Sequence, residues 1–104
     1  MEPTFLPELS VSVDEKTGRV RAAYFRLHIG EVSDTREVAE GRAFADYDAS
    51  GLLLGIELLA PCEIEELVNV AAAEPEPVRQ FLRGSPPREL VAVPLSPAAV
   101  THKS

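Results

Sequence analysis

The chain has 104 residues and a mass of 11.3 kDa, enough for one small domain, and its 45% hydrophobic content suffices for a packed core without disulfides or a structural metal. A single cysteine, Cys62, excludes an internal disulfide and any multi-cysteine zinc site. The net charge of -7 is unevenly placed: residues 1 to 30 hold four acids and four bases, 31 to 66 ten and two, and 67 to 104 three and four. Such a surface repels nucleic-acid phosphates and anionic lipid and attracts a basic protein or a cation. No segment approaches the roughly 18 apolar residues of a membrane span, and "MEPTFLPELS" lacks the basic start and apolar run of a signal peptide, so the expected location is the cytoplasm.

From Leu9 the residues alternate, with Leu9, Val11 and Val13 against Ser10, Ser12 and Asp14, the period of a half-buried strand. "DEKTG" is a turn whose Gly18 can take positive φ, and "RVRAAYFRLHI" is the returning strand of a hairpin. Val20, Ala22, Tyr24, Arg26 and His28 share one face of it and Ala23, Phe25, Leu27 and Ile29 the other; both faces carry apolar residues, and the pattern leaves open which is inside. "TREVA" suits a short strand closed by Gly41, and "RAFADY" and "LLLGIELL" form a second hairpin around "DASG". After Pro61 the period becomes helical, with Ile64, Leu67, Val68 and Ala71 on one side and Glu63, Glu65, Glu66 and Asn69 on the other. "EPEP" ends that helix, and Pro77 opens a short second one over residues 77–83, stopped by Gly84. In the proline-rich remainder, "ELVAV" suits either an edge strand or a loosely attached tail.

The stretch "DYDASGLLLGIE" fits the calcium-loop pattern D-x-[DN]-x-[DN]-G-x5-E at Asp46, Asp48, Gly51 and Glu57, with only Ser50 departing from it. A calcium loop of that kind needs a helix on each side, whereas Gly41 and strand-like alternation precede it and Pro61 follows closely. A hairpin explains more of the residues. With Asp48 to Gly51 as the turn, Tyr47 faces Leu52, Ala45 faces Leu54 and Ala43 faces Ile56, while Phe44 covers Gly55 and Arg42 sits opposite Glu57. Asp48 then hydrogen-bonds the turn backbone and Gly51 takes the left-handed position.

"VSVDEKTGRVRAAYFRL", "TREV" and "ADYDASGLLLGIELLAP", in this order and spacing, resemble a small prokaryotic family catalogued as domain of unknown function 2283. The resemblance covers residues 9–68, and its specific part is Asp46, Tyr47, Asp48, Gly51, Gly55, Ile56 and Glu57. Val13 stands where the family usually has a tyrosine, and Cys62 where a cap serine is common. The resemblance implies a compact antiparallel sheet with a helix packed on it and no assigned activity, cofactor or catalytic residue. Some members are suspected of acting as antitoxin-like partners of small toxin proteins.

Candidates for chemistry are few. Cys62 precedes a helix whose dipole favours the thiolate, but the surrounding acids oppose that effect, and it reads as a small buried or capping residue. His28 reads as a strand-end surface histidine, and Asp46 and Asp48 as a carboxylate pair on one strand face. There is no glycine-rich phosphate loop, serine elbow or basic aromatic stripe.

The sequence thus predicts an α+β fold: an antiparallel sheet of four to five strands and one amphipathic helix within residues 1–73, followed by an irregular extension over 74–104. The expected function is a non-enzymatic protein-protein interaction module. Its acidic face, at Glu31, Asp34, Glu37, Glu63, Glu65 and Glu66, engages a basic protein partner. Exposed strand edges suit a homodimer, and no cofactor, membrane or nucleic acid is expected. The alternative is a small metal-binding or carboxylate-using enzyme with its site at Asp46, Asp48 and Glu57.

Overall fold

A computed structural model describes residues 5–92. It contains five strands, β1 (Phe5–Val13), β2 (Val20–His28), β3 (Asp34–Val38), β4 (Ala43–Tyr47) and β5 (Leu53–Leu58). Helices α1 (Ile64–Val70) and α2 (Glu76–Gly84) follow, then a 3-10 turn at Arg88–Leu90. The strands form one sheet in the order β1-β2-β5-β4-β3, every neighbouring pair antiparallel. This is the expected α+β fold.

Local chemistry sets the turns. Asp14 Oδ1 accepts the amides of Lys16 and Thr17 at 2.8 and 3.0 Å, and Gly18 takes φ +74°, which closes the β1–β2 hairpin. Between β3 and β4 the chain reverses through three consecutive left-handed residues, Ala39, Glu40 and Gly41, of which only the last is free of Cβ strain. Asp48 Oδ1 accepts the amides of Ser50 and Leu52 and the Ser50 hydroxyl, and Gly51 takes φ +92°.

That last turn corrects the expected register. Asp48 ties the chain as far as Leu52, whose carbonyl accepts the Asp48 amide at 2.9 Å, and a bulge follows between Asp46 and Tyr47. Tyr47 therefore faces Leu53, Ala45 faces Ile56 and Ala43 faces Leu58. Along Ala43 to Asp46 the slip is two residues, an even number, so the same side chains still share a face. Arg42 is accordingly not opposite Glu57; Phe44 is, and Gly55 lies between Asp46 and Arg26.

The open question about β2 is resolved by burial. Ala23, Phe25 and Leu27 point inward with Ala43, Ala45, Ile56 and Leu58, and all are at most 2% exposed. Helix α1 lays Leu67, Val68 and Ala71 over them, and at its start the Glu63 amide donates to the Glu66 carboxylate at 3.0 Å. A second helix joins it: α2, opened by Pro77, buries Val78 and Leu82, and Phe81 meets Phe25 and Phe5 edge-on at 6.2 Å. Leu90, in the 3-10 turn, completes the same core. "ELVAV" supplies one parallel bridge, Val91 to Cys62, and the residues after Ala92 lie outside the described part. Among the described residues no helix is long and apolar enough to cross a membrane.

Candidate functional site

The helices cover one face of the sheet, and the other carries its most connected polar group. Asp46 on β4 accepts the Tyr24 hydroxyl from β2 at 3.0 Å on one oxygen and the Thr35 hydroxyl from β3 at 2.7 Å on the other. One carboxylate thus ties together side chains from three strands, across β5. The bridge from Tyr24 to Asp46 passes over Gly55, and a Cβ built there lies 2.2 Å from the Tyr24 oxygen. Glycine is therefore required for a close approach, and the covering aromatic is Tyr24, not Phe44, because Tyr24 is the residue whose hydroxyl Asp46 holds.

The electrostatics follow from that geometry. Burial, and then the hydrogen bond to Asp46 and its negative charge, push the Tyr24 hydroxyl from 10.0 up to about 12. It is a fixed hydrogen-bond donor rather than an acid at physiological pH. The Ser50 hydroxyl, and then the turn amides of Leu52, Ser50 and Gly51, hold the Asp48 carboxyl below the usual aspartate value.

The proposed carboxylate trio does not converge. Asp46 is engaged by Tyr24 and Thr35, Asp48 by its own turn, and Glu57 is exposed on β5 between Tyr24 and Phe44. Among the described residues, no group of three or more His, Cys, Asp or Glu side chains is placed to hold a metal ion. Cys62 is fully buried, burial pushes its thiol up, and Sγ lies 3.5 Å from the Ala60 carbonyl. The N-cap of α1 is Glu63, so Cys62 is a core residue and not a cap.

His28 is corrected from a surface residue to a buried one. It is 6% exposed, with Nε2 3.1 Å from Glu74 Oε1 and its ring edge-on to Phe5 at 6.1 Å. The segment joining α1 to α2 folds over the end of β2 and brings Glu74 to it. Nearby, Tyr24, Arg26, Ile29, Val32 and Leu54 line an open cleft of about 350 Å³.

The six acidic residues occupy two places. Glu31, Asp34 and Glu37 follow the exposed edge at β3, and Glu63, Glu65 and Glu66 form the start of α1. Three have partners within the chain: Asp34 with Arg36 at 2.8 Å, Glu66 with Arg42 at 3.1 Å, and Glu65 with Arg83 at 3.8 Å. Arg36 also lies 4.4 Å from the centre of the Tyr47 ring.

Sequence reasoning missed Tyr24 and Thr35. The available signal was Gly55, since a glycine inside a strand marks a bulge or a close approach, but the approaching residue comes from β2, 31 positions earlier. Comparisons with protein-family models, with curated proteins and with solved structures find no match to this chain.

Proposed function

We propose that the protein is a non-enzymatic interaction module whose acidic face, Glu31, Asp34 and Glu37 with Glu63, Glu65 and Glu66, binds a basic protein. One observation carries this reading. Residues 31 to 66 hold ten acids and two bases, and both bases, Arg36 and Arg42, are already committed to Asp34 and Glu66. The segment itself keeps an excess of eight negative charges (10 − 2), of which Glu65 meets Arg83 from α2, and this excess attracts a cationic partner and speeds its encounter. Membership of the domain of unknown function 2283 family belongs to the same proposal, and an antitoxin-like role against a small basic toxin is its sharpest form. No observation favours the alternative of a metal-dependent or carboxylate enzyme at Asp46, Asp48 and Glu57.

The test is fluorescence anisotropy of a labelled lysine- and arginine-rich peptide against the full chain at two salt concentrations. A Glu31→Gln, Asp34→Asn, Glu37→Gln variant is compared with a charge-matched control, Glu15→Gln, Glu76→Gln, Glu89→Gln. With about 0.2–1 kcal/mol for each exposed charge, the first variant loses about threefold to a hundredfold in affinity and the control loses little. Equal losses in both would reduce the effect to net charge and refute the site. Failure of the wild type to retain any basic protein from a lysate at low salt would refute the module itself.

A further inference from the structure

Two transverse rows on the helix-covered face end in the same way. In one, Ala43, Leu58 and Ala23 are 0, 0 and 2% exposed, and Val11, next in line on β1, is 48% exposed. In the other, Ala45, Ile56 and Phe25 are all 0%, and Leu9 is 37% exposed. Among the described residues the helical layer reaches β1 at its start, where Phe81 meets Phe5, while Leu9, Val11 and Val13 further along stay exposed. Among the described residues, Leu9, Val11 and Val13 therefore stand as an uncovered apolar strip on an edge strand.

The two sheet edges are unlike each other. At β3 the edge carries Asp34, Arg36 and Glu37, the charged side chains that discourage strand addition. At β1 the stretch from Leu9 to Val13 carries no charge at all. The pairing of β1 with β2 is regular from Glu8 to Ser12 and irregular on both sides, so the flat part of the edge is centred on Ser10. Its outward backbone groups have no strand beside them among the described residues.

We infer that this edge is completed by a second copy of the same chain, the two β1 strands pairing antiparallel about a two-fold axis at Ser10. The pairing sets Ser10 against Ser10, Leu9 against Val11 and Glu8 against Ser12. Like falls on like because both members of each pair lie on the same face. The result is a ten-stranded sheet with all helices on one side, and the two strips of Leu9, Val11 and Val13 fill the gap between the two helical layers.

Charge points to a second copy rather than to the basic partner of the other edge. The hairpin from Phe5 to His28 holds Glu8, Asp14 and Glu15 against Lys16, Arg19, Arg21 and Arg26, a balance of +1 in a chain of -7. This hairpin, unlike the acidic stretch from residue 31 to 66, can meet a copy of itself without net repulsion.

Sedimentation equilibrium of the full chain tests the proposal, with three variants. The wild type is expected at twice 11.3 kDa at micromolar concentration. Ser10→Lys places like charges opposite each other only in the dimer, so it yields a folded monomer with unchanged circular dichroism. Ser10→Cys, at the axis, forms a disulfide between copies in air. Ser12→Cys does not, because its counterpart lies four residues further along. A monomeric wild type overturns the inference; so does a Ser10→Lys chain that stays dimeric, or a Ser12→Cys chain that links as fast as Ser10→Cys. Monomers whose β1 amides resist hydrogen exchange would show that another part of the chain covers the edge. None of these outcomes depends on the acidic face at β3.

Discussion

Replacing Gly55 by alanine is ordinarily mild in a strand, and intrinsic preference alone makes it stabilising by about 0.5–1 kcal/mol. Here the added methyl sits 2.2 Å from the Tyr24 oxygen, 2.5 Å from its Cζ and 2.8 Å from the Phe25 carbonyl oxygen. Carbon contacts need about 3.5 Å, so the tyrosine ring must move by about 1 Å or more. That takes its hydroxyl out of reach of Asp46, now 3.0 Å away, at about 1.5–3 kcal/mol for a bond to a charged acceptor. The Phe25 carbonyl cannot follow, because its strand is paired with β5 on one side and β1 on the other; that crowding costs about 1 kcal/mol or more. The net expectation is a loss of about 2–4 kcal/mol, or about 10 to 30 °C in Tm for a domain of this size. Urea and thermal unfolding by circular dichroism measure it. In a Tyr24→Ala background only the Phe25 contact, about 1 kcal/mol, opposes the intrinsic gain of about 0.5–1 kcal/mol, so the same change should cost about 0.5 kcal/mol or less. A Gly55→Ala protein within about 0.5 kcal/mol of wild type, or an equal cost in both backgrounds, refutes the close approach as the reason for glycine.

The remaining predictions concern titration and packing. Tyr24 ionises near 12, raised from 10.0 mainly by burial and then by Asp46, so the fold favours its neutral form. Its contribution to stability is whole below pH 10 and is lost as pH rises from 10 through 12. Ultraviolet titration against Tyr24→Phe isolates this step, and Asp46→Asn moves it down without returning it to 10, since burial remains. A Tyr24 step at the ordinary value would contradict the bond to Asp46. Leu82→Ala costs about 2–5 kcal/mol in urea unfolding, because Leu82 is fully buried in the common core; a cost under about 1 kcal/mol would mean that α2 is only loosely attached. Cys62, buried with its thiol pushed up, reacts with a disulfide reagent only in denaturant, and rapid labelling of the native chain would contradict that placement.

The mutations at Gly55 and Leu82 separate what was legible in the residues from what was not. Alternation at Leu9 to Val13 and at Ala43 to Tyr47, the helical spacing of Leu67, Val68 and Ala71, and the turns at Asp14 to Gly18 and Asp48 to Gly51 all depend on neighbours within a few positions. Period, proline, glycine and Asp turn chemistry act over that range, so the strands, both helices and the class of fold follow from the chain order alone. The carboxylate at Asp48 was also readable as a turn residue, because the groups that donate to it lie within four positions.

Register, burial and the polar bridge were decided by the tertiary structure. A two-residue slip in β4 and β5 leaves the apolar faces matched, so no pattern of period two can distinguish it; the reach of Asp48 to Leu52 and the bulge beside Tyr47 do. The inside face of β2 was ambiguous until α1 and α2 chose the side with Phe25. His28 became a buried residue because Glu74, 46 positions on, is carried over it. Tyr24, Thr35 and Asp46 meet because β5 returns between β2 and β4. A contact between residues so far apart in sequence depends on strand order, and strand order is settled by the free energy of the whole packed core rather than by any local stretch of chain.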